Sequence, residues 1–127
     1  ESLWERTTMT EPEQPDILNP ATFVPPQLAE FASITIEFCD RCRWLHRAAW
    51  VQTELLLTFA PPVIGSITLV PRNSEETAGR FRVWVGTPGS AAPQLAWDRK
   101  VEGGFPELKI LVCIARLIPA GCTDAWA

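Results

Sequence analysis

The sequence predicts an α/β (α+β) domain whose four-stranded mixed sheet is laid down in the order strand, helix, strand, strand, strand, helix. Three observations predict it. Ile34, Ile36 and Phe38 alternate with Thr35 and Glu37, the two-residue period of a strand with one buried face. Leu45, Ala48, Ala49, Leu55, Leu56 and Phe59 then recur at the spacing of an amphipathic helix, with Arg43, Arg47 and Glu54 on the other side. Three short strand-like runs follow, and a proline-opened apolar helix comes last.

Residues 1–31 carry prolines at 12, 15, 20, 25 and 26 without sustained periodicity, which predicts an extended or disordered leader. The folded domain is expected over 32–119 and a short tail over 120–127. After the first strand and helix, Pro61 and Pro62 stop the helix, and "VIGSITLV" (63–70) reads as the second strand. In "GRFRVWV" (79–85), Phe81, Val83 and Val85 share one face and Arg80 and Arg82 the other, which makes a third. "GTPGSAAP" (86–93) is turn chemistry and "QLAWD" (94–98) a short fourth strand. "GGFPELKILVCIARLIP" closes the domain as a helix with Pro106 in its first turn. A right-handed crossover makes strands one and two parallel, and the short later links make antiparallel neighbours. The turn after strand one and the loops 71–78 and 99–104 therefore leave the sheet at one end.

Composition narrows the function. At 127 residues, 46% hydrophobic and 20% charged, the chain can bury one core without metals or disulfides. A net charge of −4 without a basic stripe argues against nucleic acid, whose binding draws on clustered Lys and Arg. The apolar run "ILVCIARLI" contains Arg116 and is too short to span a bilayer. The N-terminal stretch has neither the basic head nor the apolar core of a secretory signal.

The four cysteines, at 39, 42, 113 and 122, lack the density of an extracellular disulfide framework, so a reducing, cytoplasmic setting is expected. There a C-x-x-C pair points to redox chemistry or metal binding. Cys39 and Cys42 fall where the strand becomes the helix, and a helix start lowers a thiol pKa through free amides and the dipole. Arg41 and Arg43 add positive charge. Cys39, at the cap position, is the expected nucleophile, and Cys42, read as one turn into the helix, the resolving thiol. Zinc is the weaker alternative. Cys39, Cys42 and His46 make C-x-x-C-x-x-x-H, but a second paired spacing is missing, so no metal and no tightly bound cofactor are expected. His46 otherwise reads as a helix-surface residue. Trp44 suits either a groove wall or a packing anchor, and Trp50 falls on the polar side of the helix.

The runs "IEFCDRCRWLHRAAWVQTELLLTF", "GRFRV" and "LAWDRKVEGGFPELK" resemble the selenoprotein W/T/H-like (Rdx) family of thioredoxin-like proteins, in its cysteine-containing form. The resemblance covers roughly residues 33–119. It implies a thioredoxin-like fold and a thiol redox role, with Cys39 and Cys42 as the redox motif and Cys42 where selenoproteins hold selenocysteine. It also matches Gly79, Phe81, Gly103, Gly104, Phe105 and Pro106 to the structural signature.

The last helix departs from that pattern. Beside an expected core stripe of Leu108, Leu111, Ala115 and Ile118, the residues Ile110, Cys113, Ile114 and Leu117 make a second apolar stripe. Ile110, Ile114 and Leu117 are therefore expected to form an interface, with a second copy or another protein. The functional expectation is a thiol–disulfide oxidoreductase acting on a protein thiol or disulfide, or on glutathione. The alternative is an interaction module working through the last helix, its thiols only modulating binding.

Overall fold

The computed structural model describes residues 16–90 and 92–118. Strand β1 (Ala32–Cys39) leads to helix α1 (Leu45–Thr58), then to β2 (Ile64–Arg72), β3 (Phe81–Gly86) and β4 (Gln94–Asp98). A short helix α2 (Arg99–Glu102) and helix α3 (Lys109–Leu117) follow. The sheet order is β2-β1-β3-β4, with β1 parallel to β2, β3 antiparallel to both its neighbours, and β1, β2 and β4 therefore codirectional. The expected mixed four-stranded α+β architecture is the one observed. Short 3-10 turns at Pro20–Thr22 and Leu28–Glu30 precede the sheet, and Phe31 packs so close to Gly65 that a Cβ there would stand 2.6 Å from its own Cβ. The tail 120–127, with Cys122, and the first half of the leader lie outside the described residues.

The alternation in β1 does what its period demands. Ala32, Ile34, Ile36 and Phe38 are buried in one core with Phe81, Val83 and Val85 of β3. Each fully buried side chain of this size contributes roughly 1.5–3 kcal/mol. Helix α1 adds Ala48, Val51 and Leu55, with Phe59 just past its end. Leu45 and Leu56, expected in that stripe, are exposed, because the buried face follows 48, 51, 55 and 59 and both fall outside it.

Three boundaries differ from the sequence expectation. Helix α1 begins only at Leu45, because Arg43 takes a left-handed φ of 63° and breaks the turn at 40–43. Loop 99–104 contains α2, whose N-cap is the Asp98 carboxylate accepting from the Lys100 N–H and whose end is Gly103 at φ 83°. Pro106 is not in the first turn of the last helix. Glu107, at φ 49°, separates it from α3, which starts at Lys109.

The expected interface stripe is overturned. Ile110 and Ile114 are fully enclosed and Leu117 packs partly against the core, whereas Leu108 and Val112 are 61% and 53% exposed. Leu108 caps α3 rather than lying within it, so the stripe built on it loses its anchor and the face centred on Ile114 turns inward. Trimming Ile114→Val should therefore cost about 1 kcal/mol, while Val112→Ala should stay within about 0.5 kcal/mol. Urea unfolding of the two variants checks the phase of the helix, and the opposite ranking would reverse it.

Candidate thiol site

At the end of the sheet where β1, β2 and β4 terminate, the chain brings two sulfurs together. Cys39 ends β1 and Cys42 sits in the turn before α1, with their Sγ atoms 2.6 Å apart. The turn is held from both sides. Asp40 N–H donates to the Arg72 carbonyl at the end of β2 (2.8 Å), Arg43 N–H to the Asp40 carbonyl (2.9 Å) and Trp44 N–H to the Cys39 carbonyl (3.4 Å). Cys39 and Arg72 are partners in the parallel ladder, so the strand register itself places the thiols.

The two thiols differ in access and in charge. Cys39 is fully buried and Cys42 is partly exposed. Burial alone would raise the Cys39 pKa, but the hydrogen bond from Cys42 and amides of Gly79, Cys42 and Arg41 outweigh it and leave the thiol below its ordinary value. Cys42 is raised, first by its hydrogen bond to Cys39 and then by burial, against the pull of the Gly79 amide and the Arg99 charge. The two thiols are hydrogen-bonded to each other, so they titrate as a pair, with the buried sulfur lowered and the reachable one raised. The cysteine expected to attack is thus the enclosed one. With α1 starting at Leu45, neither cysteine is in the helix, and the strand end encloses Cys39.

Gly79 serves this site through backbone geometry. It takes φ 75°, where a side chain would be strained, and it turns its amide toward both sulfurs. A Cβ there would also meet the Arg99 guanidinium at 3.3 Å.

Around the thiols lies an aromatic and cationic layer. Trp44 packs edge-to-face on Phe105 (4.9 Å, 87°), and Phe105 on Phe81 (5.2 Å, 78°). Arg99 lies over the Trp44 ring at 4.8 Å and Arg47 over Phe105 at 4.0 Å. Trp97, buried in β4, holds the "GGFP" turn by donating its indole N–H to the Gly104 carbonyl (2.9 Å), which sets Phe105 in place. Trp44 is thus a packing anchor at the edge of the site. The side chains of Arg41 and Arg43 are exposed, and the cation that acts on Cys42 is Arg99, which sequence reasoning read only as a loop residue. His46 lines a groove of about 460 Å3 between α1 and the 105–108 turn, with Arg47, Trp50 and Leu108, and neither Cys39 nor Cys42 is among its lining residues. Among the described residues, no three His, Cys, Asp or Glu side chains are grouped as metal ligands.

A second polar cluster lies on the face of β1 that turns away from the Ile34, Ile36 and Phe38 core. Glu37, 5% exposed, accepts hydrogen bonds from Arg72 Nε (2.8 Å), Arg80 Nη1 (3.5 Å) and Trp84 Nε1 (2.8 Å). It ties together the end of β2, the residue after Gly79 and β3. The sequence signal was the arginine-rich outer face of β3, but the pattern assigned Glu37 to solvent.

The likeness to known proteins is consistent with this geometry. The Rdx family model matches residues 33–116. The structure is similar to that of a selenoprotein W-related protein from Vibrio cholerae, at 37% identity and a TM-score of 0.56, covering 69% of this chain and 98% of that one. A Bordetella parapertussis protein is 40% identical at a TM-score of 0.51, covering 67% and 94%. No curated protein matches the chain. With a family model spanning most of the folded part and two related structures covered almost end to end, the chain belongs to the Rdx family.

Proposed function

We propose that the protein is a thiol–disulfide oxidoreductase in which Cys42 attacks a partner disulfide and Cys39 resolves the intermediate. The observation that carries the reading is the pairing of an accessible sulfur with a buried one 2.6 Å away, under amides that stabilise a thiolate. As Cys42 attacks, its proton passes to the Cys39 thiolate. A Cys42–partner disulfide forms and the first partner thiolate leaves, taking up a proton from water. Cys39 then loses its proton, attacks the Cys42 sulfur and releases the second partner thiol. Two electrons move from the dithiol to the partner disulfide, and Cys39 and Cys42 end joined. The partner is a protein disulfide or oxidised glutathione in a reducing compartment, and no helix among the described residues is long and apolar enough to cross a membrane.

The competing reading, an interaction module built on the last helix, loses its surface with the burial of Ile110 and Ile114. The test is to oxidise the reduced chain with hydroxyethyl disulfide and map the products by peptide mass. A Cys39–Cys42 bridge is the expected product. Oxidation confined to Cys113 or Cys122, with both motif thiols left free, would overturn the proposal.

A further inference from the structure

The groove between α1 and the 105–108 turn is unused by the exchange chemistry, and its Phe105 wall packs against Trp44, two residues after Cys42. Its walls are apolar, formed by Trp50 (43% exposed), Phe105 and Leu108 (61% exposed), and its volume of about 460 Å3 suits one or two side chains rather than a folded partner. Its rim is charged unevenly. Arg47 on α1 and Glu107 on the turn both line it, and Arg99 lies over Trp44 at 4.8 Å and over the Phe105 wall at 5.7 Å while its charge acts on Cys42. The ion pairs found among the described residues involve Arg72, Arg80 and Arg82, which leaves Arg41, Arg43, Arg47 and Arg99 without a carboxylate there. A chain of net charge −4 thus presents unpaired cations at its thiol end.

We infer that this groove docks a partner segment with an apolar, preferably aromatic, side chain a few residues from its reactive cysteine and a carboxylate between the two. The aromatic side chain fills the space against Trp50, Phe105 and Leu108. The carboxylate faces Arg47 and Arg99, since Glu107 repels it from the turn. A segment leaving Cys42 crosses Trp44 and Phe105 to reach the groove, and both rings already stack under arginines. Trp and Arg together are the residues that most often dominate binding energy at such surfaces, and charge complementarity selects among partners. The identity of the reacting cysteine rests on the proposed exchange activity, but the docking itself does not.

The test uses acetylated Phe-Glu-Ala-Ser-Gly, with serine in place of the reactive cysteine, titrated calorimetrically into the reduced full chain. Replacing its Phe with Gly or its Glu with Lys should weaken binding about tenfold. Trp50→Ala should remove the preference for Phe, and Arg47→Glu should reverse the preference between Glu and Lys, an inversion that a merely structural role would not produce. Equal affinities for the three peptides, or an Arg47→Glu variant that ranks them as the parent does, would overturn the inference. Exchange with hydroxyethyl disulfide, which has neither an aromatic group nor a carboxylate, is measured on the same preparation. Exchange without peptide discrimination defeats docking alone, and discrimination without exchange defeats the redox reading alone.

Discussion

Replacing Cys42 with serine is expected to slow the first attack on hydroxyethyl disulfide by about 100-fold or more, because the remaining thiolate at Cys39 is enclosed and a disulfide must approach in line with it. The Cys39→Ser variant should behave in the opposite way. It keeps the accessible sulfur, attacks, and stops at a stable Cys42 mixed disulfide that mass spectrometry detects. Its pH profile carries the sharper test. The largest influence raising the Cys42 pKa is its hydrogen bond with Cys39, and the Cys39 charge adds to it, while the Gly79 amide and Arg99 pull downward. Removing the Cys39 thiol should therefore move the alkylation midpoint of Cys42 to lower pH than in the parent chain. Both variants are made with Cys113 and Cys122 replaced, so that only the motif is read. Fast attack by the Cys42→Ser variant, with slow attack by Cys39→Ser, would return the nucleophile's role to Cys39.

Which of the two thiols is reachable was difficult to read from the chain. A C-x-x-C motif at a strand-to-helix seam announces itself by spacing, and its placement at the end of the sheet follows from strand order alone. Which thiol is exposed depends on where the helix starts, and that hinges on one backbone angle, at Arg43. Nothing in the local composition signals a left-handed arginine. Arg99 was hidden for a related reason. Its role comes from α2, a single turn capped by Asp98 and Gly103, which is too short for periodicity to register.

The last helix shows a different limit. From Ile110 to Ile118 the apolar residues run nearly all the way round, interrupted only by Arg116, so two stripes satisfy the period equally well. Choosing between them took the position of Leu108, which is set by the Pro106–Glu107 turn and not by the helix. By contrast, β1 and β3 were legible to the residue on their inner face, because alternation at period two leaves a strand only one way to bury its apolar half. The same alternation misplaced Glu37. A polar residue between two buried ones reads as solvent-facing, and the pattern is blind to the arginines and tryptophan that close over it from neighbouring strands.

That enclosure gives Glu37 a large expected effect on stability, and a pH signature. Glu37→Ala leaves Arg72, Arg80 and Trp84 without their shared acceptor and should cost about 2–3 kcal/mol at neutral pH. The figure is held below that of a fully buried pair because the Arg72 side chain is 43% exposed and regains water. Burial by itself would raise the Glu37 pKa, but the Trp84 N–H and the Arg72 and Arg80 guanidinium groups overcome it, and the carboxyl titrates below its ordinary value of 4.5. A depressed folded-state pKa means that the unfolded chain binds the proton more readily. The carboxylate's contribution is therefore complete above the unfolded value and is lost as pH falls through the lower, folded one. Glu37→Gln, which keeps the size and an acceptor for Trp84 but removes the charge, isolates this contribution. The gap in urea-unfolding free energy between parent and Glu37→Gln should be full at pH 7 and narrow steadily below about pH 4.5. Asp98, also depressed, is present in both chains and cancels from the difference. A gap that stays constant from pH 7 to the acid limit would mean that the charge of Glu37 contributes nothing to folding.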